Sequence, residues 1–142
     1  MLRRYQQRKR YIPHLYSDIE FPAPTRRKLK HGVLCKMPGH EAKFQIGELI
    51  HHKLFDYLGV VFDVDPVFSG SDMWYDQVAR SRPPKDKPWY HVLVDRADHT
   101  TYVAEQNLGL AVELNPISHT LVDHYFGEFD GKKYSLLRRR LN

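Results

Sequence analysis

Gly59-Val60-Val61-Phe62-Asp63-Val64-Asp65-Pro66 is the stretch that decides the fold, and Trp89-Tyr90-His91-Val92-Leu93-Val94-Asp95 repeats its texture thirty residues on. Both runs are dense in β-branched and aromatic residues, which fit a pleated, half-buried surface. The first stops at Pro66, which cannot donate to a sheet ladder. Both predict strands. Outward from them, Arg96 to Thr100 reads as a turn, Thr101-Tyr102-Val103-Ala104 as a third strand and Glu105 to Leu108 as a one-turn helical finish. Upstream, Phe44, Ile46, Leu49 and Ile50 with Gly47 predict a short strand with a bend or bulge, and His51 to Tyr57 a loop or a second short piece. Ser71 to Ala79 predicts a short helix capped by Ser71 or Asp72, and Arg80 to Lys87, with Pro83 and Pro84, a surface loop. Past residue 110, Pro116, Gly127 and Gly131 predict irregular chain with a short helix at 118–126. Short strands, tight connections and little helix make a mainly β chain, a small barrel with one short helix. Alternation puts Trp89, His91 and Leu93 on one strand face and Tyr90, Val92 and Val94 on the other. Val61, Phe62, Val92 and Val103 are the expected core.

The length of 142 residues is that of one domain. Charge divides it. Residues 1–40 hold ten Lys and Arg against Asp18 and Glu20, and Pro13, Pro22, Pro24 and Pro38 interrupt any regular structure there. Residues 132–142 add five bases and no acid, leaving residues 41–131 with seven bases and fifteen acids. An acidic body with two basic ends follows, and affinity for polyanions belongs to the ends. The expected division is a flexible basic arm over 1–40, a barrel domain over 41–110 and an irregular basic tail over 111–142, with Met37 an alternative start. The single cysteine, Cys35, excludes an internal disulfide and fits a reducing compartment. No apolar run reaches membrane-span length and no apolar stretch follows the basic start, so a cytoplasmic location away from membranes is expected.

Four blocks in order carry a resemblance: Ala42-Lys43-Phe44-Gln45-Ile46-Gly47, Gly59 through Pro66, Pro88-Trp89-Tyr90-His91-Val92-Leu93, and Tyr102-Val103-Ala104-Glu105-Gln106-Asn107-Leu108. Together they resemble the HspQ or YccV-like family, also called the hemimethylated-DNA-binding domain family, over roughly residues 42 to 110. The resemblance implies an SH3-like barrel that assembles as a homo-oligomer, a trimer. It implies two roles, binding of hemimethylated DNA and assistance to ATP-dependent proteolysis during heat stress, and neither enzymatic activity nor a cofactor. Residues 1–40 and 111–142 lie outside it.

Trp89, Tyr90, His91 and Tyr102 offer aromatic faces for a base or a peptide, with Glu105 beside them. The plainer reading has one face filling the core and the other at a subunit contact. Together with the loop 67–88, these residues form the expected surface for a protein partner: a protease component, a damaged client or another subunit. His91 near Glu105 and the Asp63/Asp65 pair lacks a nucleophile for catalysis. Asp63 and Asp65 with His51, His52 or His91 match no metal-ligand spacing. Arg8-Lys9-Arg10, Arg26-Arg27-Lys28 and Arg138-Arg139-Arg140 are the phosphate contacts expected if duplex DNA is the partner.

Overall fold

The computed structural model describes residues 41–137. The clusters at Arg8-Lys9-Arg10, Arg26-Arg27-Lys28 and Arg138-Arg139-Arg140, with Cys35 and Met37, lie outside the described residues.

Strands β1 (Leu49–His52), β2 (Tyr57–Asp65), β3 (Trp89–Val94), β4 (Thr100–Ala104) and β5 (Leu108–Leu110) form one antiparallel sheet in the order β4-β3-β2-β1-β5. Helix α1 (Asp72–Val78) fills the β2–β3 connection, and a 3₁₀ turn over Glu105–Asn107 links β4 to β5. The three strands read from the sequence lie where expected. The first strand does not: it starts at Leu49, after a turn at Gly47, and takes in His51 and His52. Gly47 has φ +94°, and a Cβ there would sit 2.4 Å from the Tyr134 carbonyl oxygen, so only glycine fits both the backbone and the gap.

Val61 pairs with Val92 and Asp63 with His91, so Phe62 has no residue opposite it. This bulge switches the alternation of β2. Val60 and Phe62 pack on one face, and Val61 and Val64 on the other. The sheet buries both faces, and all six residues of β3 are buried. One face holds Phe44, Ile50, Val61, Tyr90, Val92, Val103 and Leu108. On the other, α1 presses Trp74, Tyr75 and Ala79 onto Trp89, Tyr102 and Ala104. The helix is fixed by its cap, where the Ser71 hydroxyl accepts from the Trp74 amide at 3.1 Å, and by the Tyr75 hydroxyl donating to the Pro83 carbonyl at 2.7 Å. All four expected core residues, Val61, Phe62, Val92 and Val103, are buried.

The short helix expected at 118–126 is there, but the rest of the segment read as an irregular tail is a correction. It forms α2 (Val122–Tyr125) and a hairpin of β6 (Phe126–Phe129) and β7 (Tyr134–Leu136). Ala111, Ile117, Val122, Phe126 and Tyr134 complete a buried cluster begun by Leu49, Val60, Phe62 and Leu93. The Tyr134 amide donates to the Gly47 carbonyl at 2.9 Å, and its hydroxyl accepts from the Ile117 amide at 2.8 Å. Asp130-Gly131 at the hairpin turn is the signal available in the sequence: the Asp130 carboxylate accepts from the Lys132 and Lys133 amides at 2.8 Å each.

The chain is mainly β, with short helices in both places where the sequence suggested one, 71–79 and 118–126. Among the described residues no strand pairing joins the outer strands β4 and β5, so the observed sheet is open.

Candidate binding site

Position and register bring the expected aromatic residues together, but inside the protein. Trp89 and His91 are 2% exposed, Tyr102 is 5% and Tyr90 is 0%. An aromatic surface offered to a partner by Trp89, Tyr90 and Tyr102 is therefore corrected to an aromatic interior. Both sheet faces are covered, so neither set of alternating side chains is left for solvent. Glu105 is half-buried beneath the entering chain, where its carboxylate accepts from the Tyr90 hydroxyl at 2.7 Å and the Lys43 amide at 3.0 Å. Burial, followed by that carboxylate, pushes the Tyr90 phenol far up, so it stays a donor.

The polar centre of the interior is Asp65. Its Oδ2 accepts from the Tyr102 hydroxyl at 2.8 Å and from the Ser69 hydroxyl, and lies 3.2 Å from His91 Nε2. The His91 ring packs on Tyr102 with centroids 4.5 Å apart. Serine, histidine and aspartate thus meet, but not as a nucleophilic relay. Serine and histidine both address one carboxylate oxygen rather than each other, so the arrangement ties β2, β3, β4 and the loop at Ser69 together. Asp63 is used locally, accepting from the Val64 amide at 2.8 Å, and burial raises its pKa. Among the described residues no three His, Cys, Asp or Glu side chains are grouped to hold a metal ion.

The concave feature lies where the sheet stays open. A groove runs between β4 and the β1–β2 turn, with α1 along one wall. Thr101 to Ala104 form its floor, Leu54 and Phe55 one rim, and Val78 and Arg80 the other. Leu54 is 60% exposed and Phe55 49%, large apolar groups on a four-residue turn. His52 shapes that turn, its Nδ1 accepting from the amides of Leu54 at 3.2 Å and Phe55 at 3.1 Å. Sequence reading passed over these residues because the string His51-His52-Lys53-Leu54-Phe55-Asp56 has no strand period. Two adjacent large apolar residues in a polar turn were the available signal.

Burial, then the neighbouring His51, lowers the His52 pKa to about 4. The unfolded imidazole titrates near 6.5, so between these values the unfolded chain binds more protons than the folded one. The stability tied to neutral His52 is present above pH 6.5 and lost as pH falls towards 4. Denaturant melts at pH 7.5 and pH 5.0 should differ by about 2 kcal/mol more in the parent than in a His52→Asn variant. Equal pH sensitivity in the two would show that His52 is not held neutral by the fold.

Among the described residues no helix is long and apolar enough to cross a membrane. Residues 42–133 match the family model described as hemimethylated DNA-binding protein YccV-like. The match runs past residue 110 to include α2, β6 and the turn of the last hairpin, the same elements that complete the buried cluster around Leu49. The description names binding and no reaction, in keeping with a site built from a groove and a buried hydrogen-bond network. On a match over more than half its length, this chain belongs to the YccV-like family.

Proposed function

We propose that the chain is a non-enzymatic, HspQ-like stress-response protein of the cytoplasm. It acts in protein quality control by holding a component of an ATP-dependent protease or one of that protease's clients. The sheet serves as an SH3-like barrel within a homo-oligomer, a trimer. The observation that carries the reading is the apolar groove rimmed by Leu54 and Phe55, on a body whose residues 41–137 hold fifteen acids against nine bases. Such a body repels a polyanion and suits an apolar polypeptide. Trp89 and Tyr102 act by lining that groove, with His91 packed behind Tyr102.

A second reading has its own support in the family description and in the basic ends. Here the chain holds hemimethylated DNA, with Arg8, Lys9, Arg10, Arg26, Arg27, Lys28, Arg138, Arg139 and Arg140 on phosphates. Salt separates the two. Full-length chain should still hold reduced lactalbumin, its cysteines capped as neutral acetamides, at 200 mM salt, because apolar burial is not screened. Affinity for a duplex should fall by about a thousandfold between 50 and 200 mM salt, through counterion release at the clustered bases. Replacing those nine bases by glutamine should abolish duplex binding and spare the polypeptide. Failure to bind unfolded polypeptide, with a retained preference for a hemimethylated over a fully methylated duplex, would decide for the second reading.

A further inference from the structure

The groove has a free strand edge at its base, and that edge specifies more than apolarity. The Glu105 amide donates to the Pro88 carbonyl at 3.1 Å, which makes this a hydrogen-bonded pair at the end of the β3–β4 ladder. In an antiparallel ladder such pairs alternate, so Val103 and Thr101 also point their main-chain groups at β3. The amides and carbonyls of Tyr102 and Ala104 therefore point the other way, off the edge. Among the described residues no strand pairs with that edge. Such an edge is a template for another chain. Its side walls are Leu54 and Phe55 across from Val78.

One charge breaks the apolar lining. Arg80 is exposed at the groove, just past the end of α1. Its neighbours Arg82 and Lys85 are each paired, with Asp76 at 2.5 Å and Asp72 at 2.6 Å, whereas Arg80 has no ion pair among the described residues. The Asn107 side-chain amide donates to the adjacent Ser81 hydroxyl at 3.1 Å, which places this corner beside the Ala104 end of β4.

We propose that the groove takes the C-terminal segment of another polypeptide as an added strand. Its main chain pairs with Tyr102 and Ala104, its apolar side chains lie between Leu54 and Val78, and its terminal carboxylate is held by Arg80. The carboxylate end at Ala104 makes the added strand parallel to β4. This cation, without an ion pair among the described residues and set among apolar walls, is what selects the occupant: internal apolar segments carry nothing to neutralise it. The inference rests on the protein-binding reading above and names its site and ligand.

The test uses full-length chain and a labelled octapeptide of alternating valine and threonine, read by fluorescence anisotropy. Three relatives of the peptide accompany it: the C-terminal amide, and two forms N-methylated at complementary alternate positions. The free acid should bind about tenfold more tightly than the amide. Arg80→Gln should erase that ratio without changing the melting temperature. One N-methylated form should lose binding and the other keep it, because only alternate amides of an added strand face β4. Equal binding of acid and amide, or equal behaviour of the two N-methylated forms, would overturn the proposal. If lactalbumin binds and no octapeptide does, the proposal falls while the protein-binding reading stands. If neither binds, both fall.

Discussion

A chain ending at Leu110 should show no cooperative unfolding transition. Such a chain keeps all five strands of the main sheet, and on sequence pattern alone it is the whole barrel. Yet Ile117, Val122, Phe126 and Tyr134, all 9% exposed or less, cover Leu49, Val60, Phe62 and Leu93. Each such side chain contributes about 1.5–3 kcal/mol by leaving water. Four of them approach the full stability of an ordinary domain, about 5–15 kcal/mol. Deletion also removes the Tyr134 amide from the Gly47 carbonyl, and leaves Phe62 facing solvent where it now packs against Tyr125 at 4.8 Å between ring centroids. Circular dichroism melts and amide proton dispersion of residues 1–110 against the full chain provide the measurement. A sharp melt near that of the full chain would show that 41–110 stands as a domain by itself.

Asp65→Ala should cost about 3–5 kcal/mol, the usual consequence of removing one member from a buried polar group and orphaning the rest. The carboxylate is 4% exposed, and His91 beside it 2%. Its loss strands the Tyr102 hydroxyl and His91 Nε2 in an interior with little water to replace it, while the exposed Ser69 hydroxyl can turn to solvent. Asp65→Asn keeps an acceptor oxygen and the volume, so it should cost less than the alanine variant. Tyr102→Phe should cost about 1–2 kcal/mol, since the hydroxyl that donates to Asp65 and accepts from the Ser69 amide goes while the ring stays against Trp89 and His91. Combined with Asp65→Ala it should add less than it costs alone, because its contact with the carboxylate is already gone and only the one with the Ser69 amide is left to lose. Urea midpoints of the four variants test this. Full additivity would mean that the carboxylate and the hydroxyl stabilise the fold independently.

The sequence was most legible where one local rule sufficed. Valines and aromatics marked β2 and β3, Ser71 marked the start of α1, and four buried core positions followed from strand character. It was least legible where the answer depended on what covers a face. Alternation divided β3 correctly into Trp89, His91 and Leu93 against Tyr90, Val92 and Val94. It could not tell that α1 and the C-terminal segment cover one side while Phe44, Ile50, Val103 and Leu108 pack together on the other. That is why the aromatic residues looked available and are buried. β6 and β7 are short, and their partners Gly47 and Glu48 lie at the far end of the described chain, so no window along the sequence joins them. The groove escaped for a similar reason: its rim, floor and cation come from three separate stretches, and only the fold brings Leu54, Ala104 and Arg80 to one place.

The meeting of Gly47 with Tyr134 also sets an order of events during synthesis. The N-terminal turn of the fold leaves the ribosome early, but the residue that seats on it is almost the last of the described chain to emerge. Until then Leu49, Val60, Phe62 and Leu93 have no cover, and the nascent chain presents them to whatever chaperones attend it. The closing contact spans nearly the whole fold, so its loop entropy is met late and the fold should close slowly for its size. The same geometry works in reverse for a force applied to the fold from the side of β7. The first element to be stripped is the hairpin on which the core depends, so the rest has little left to resist with once it is gone.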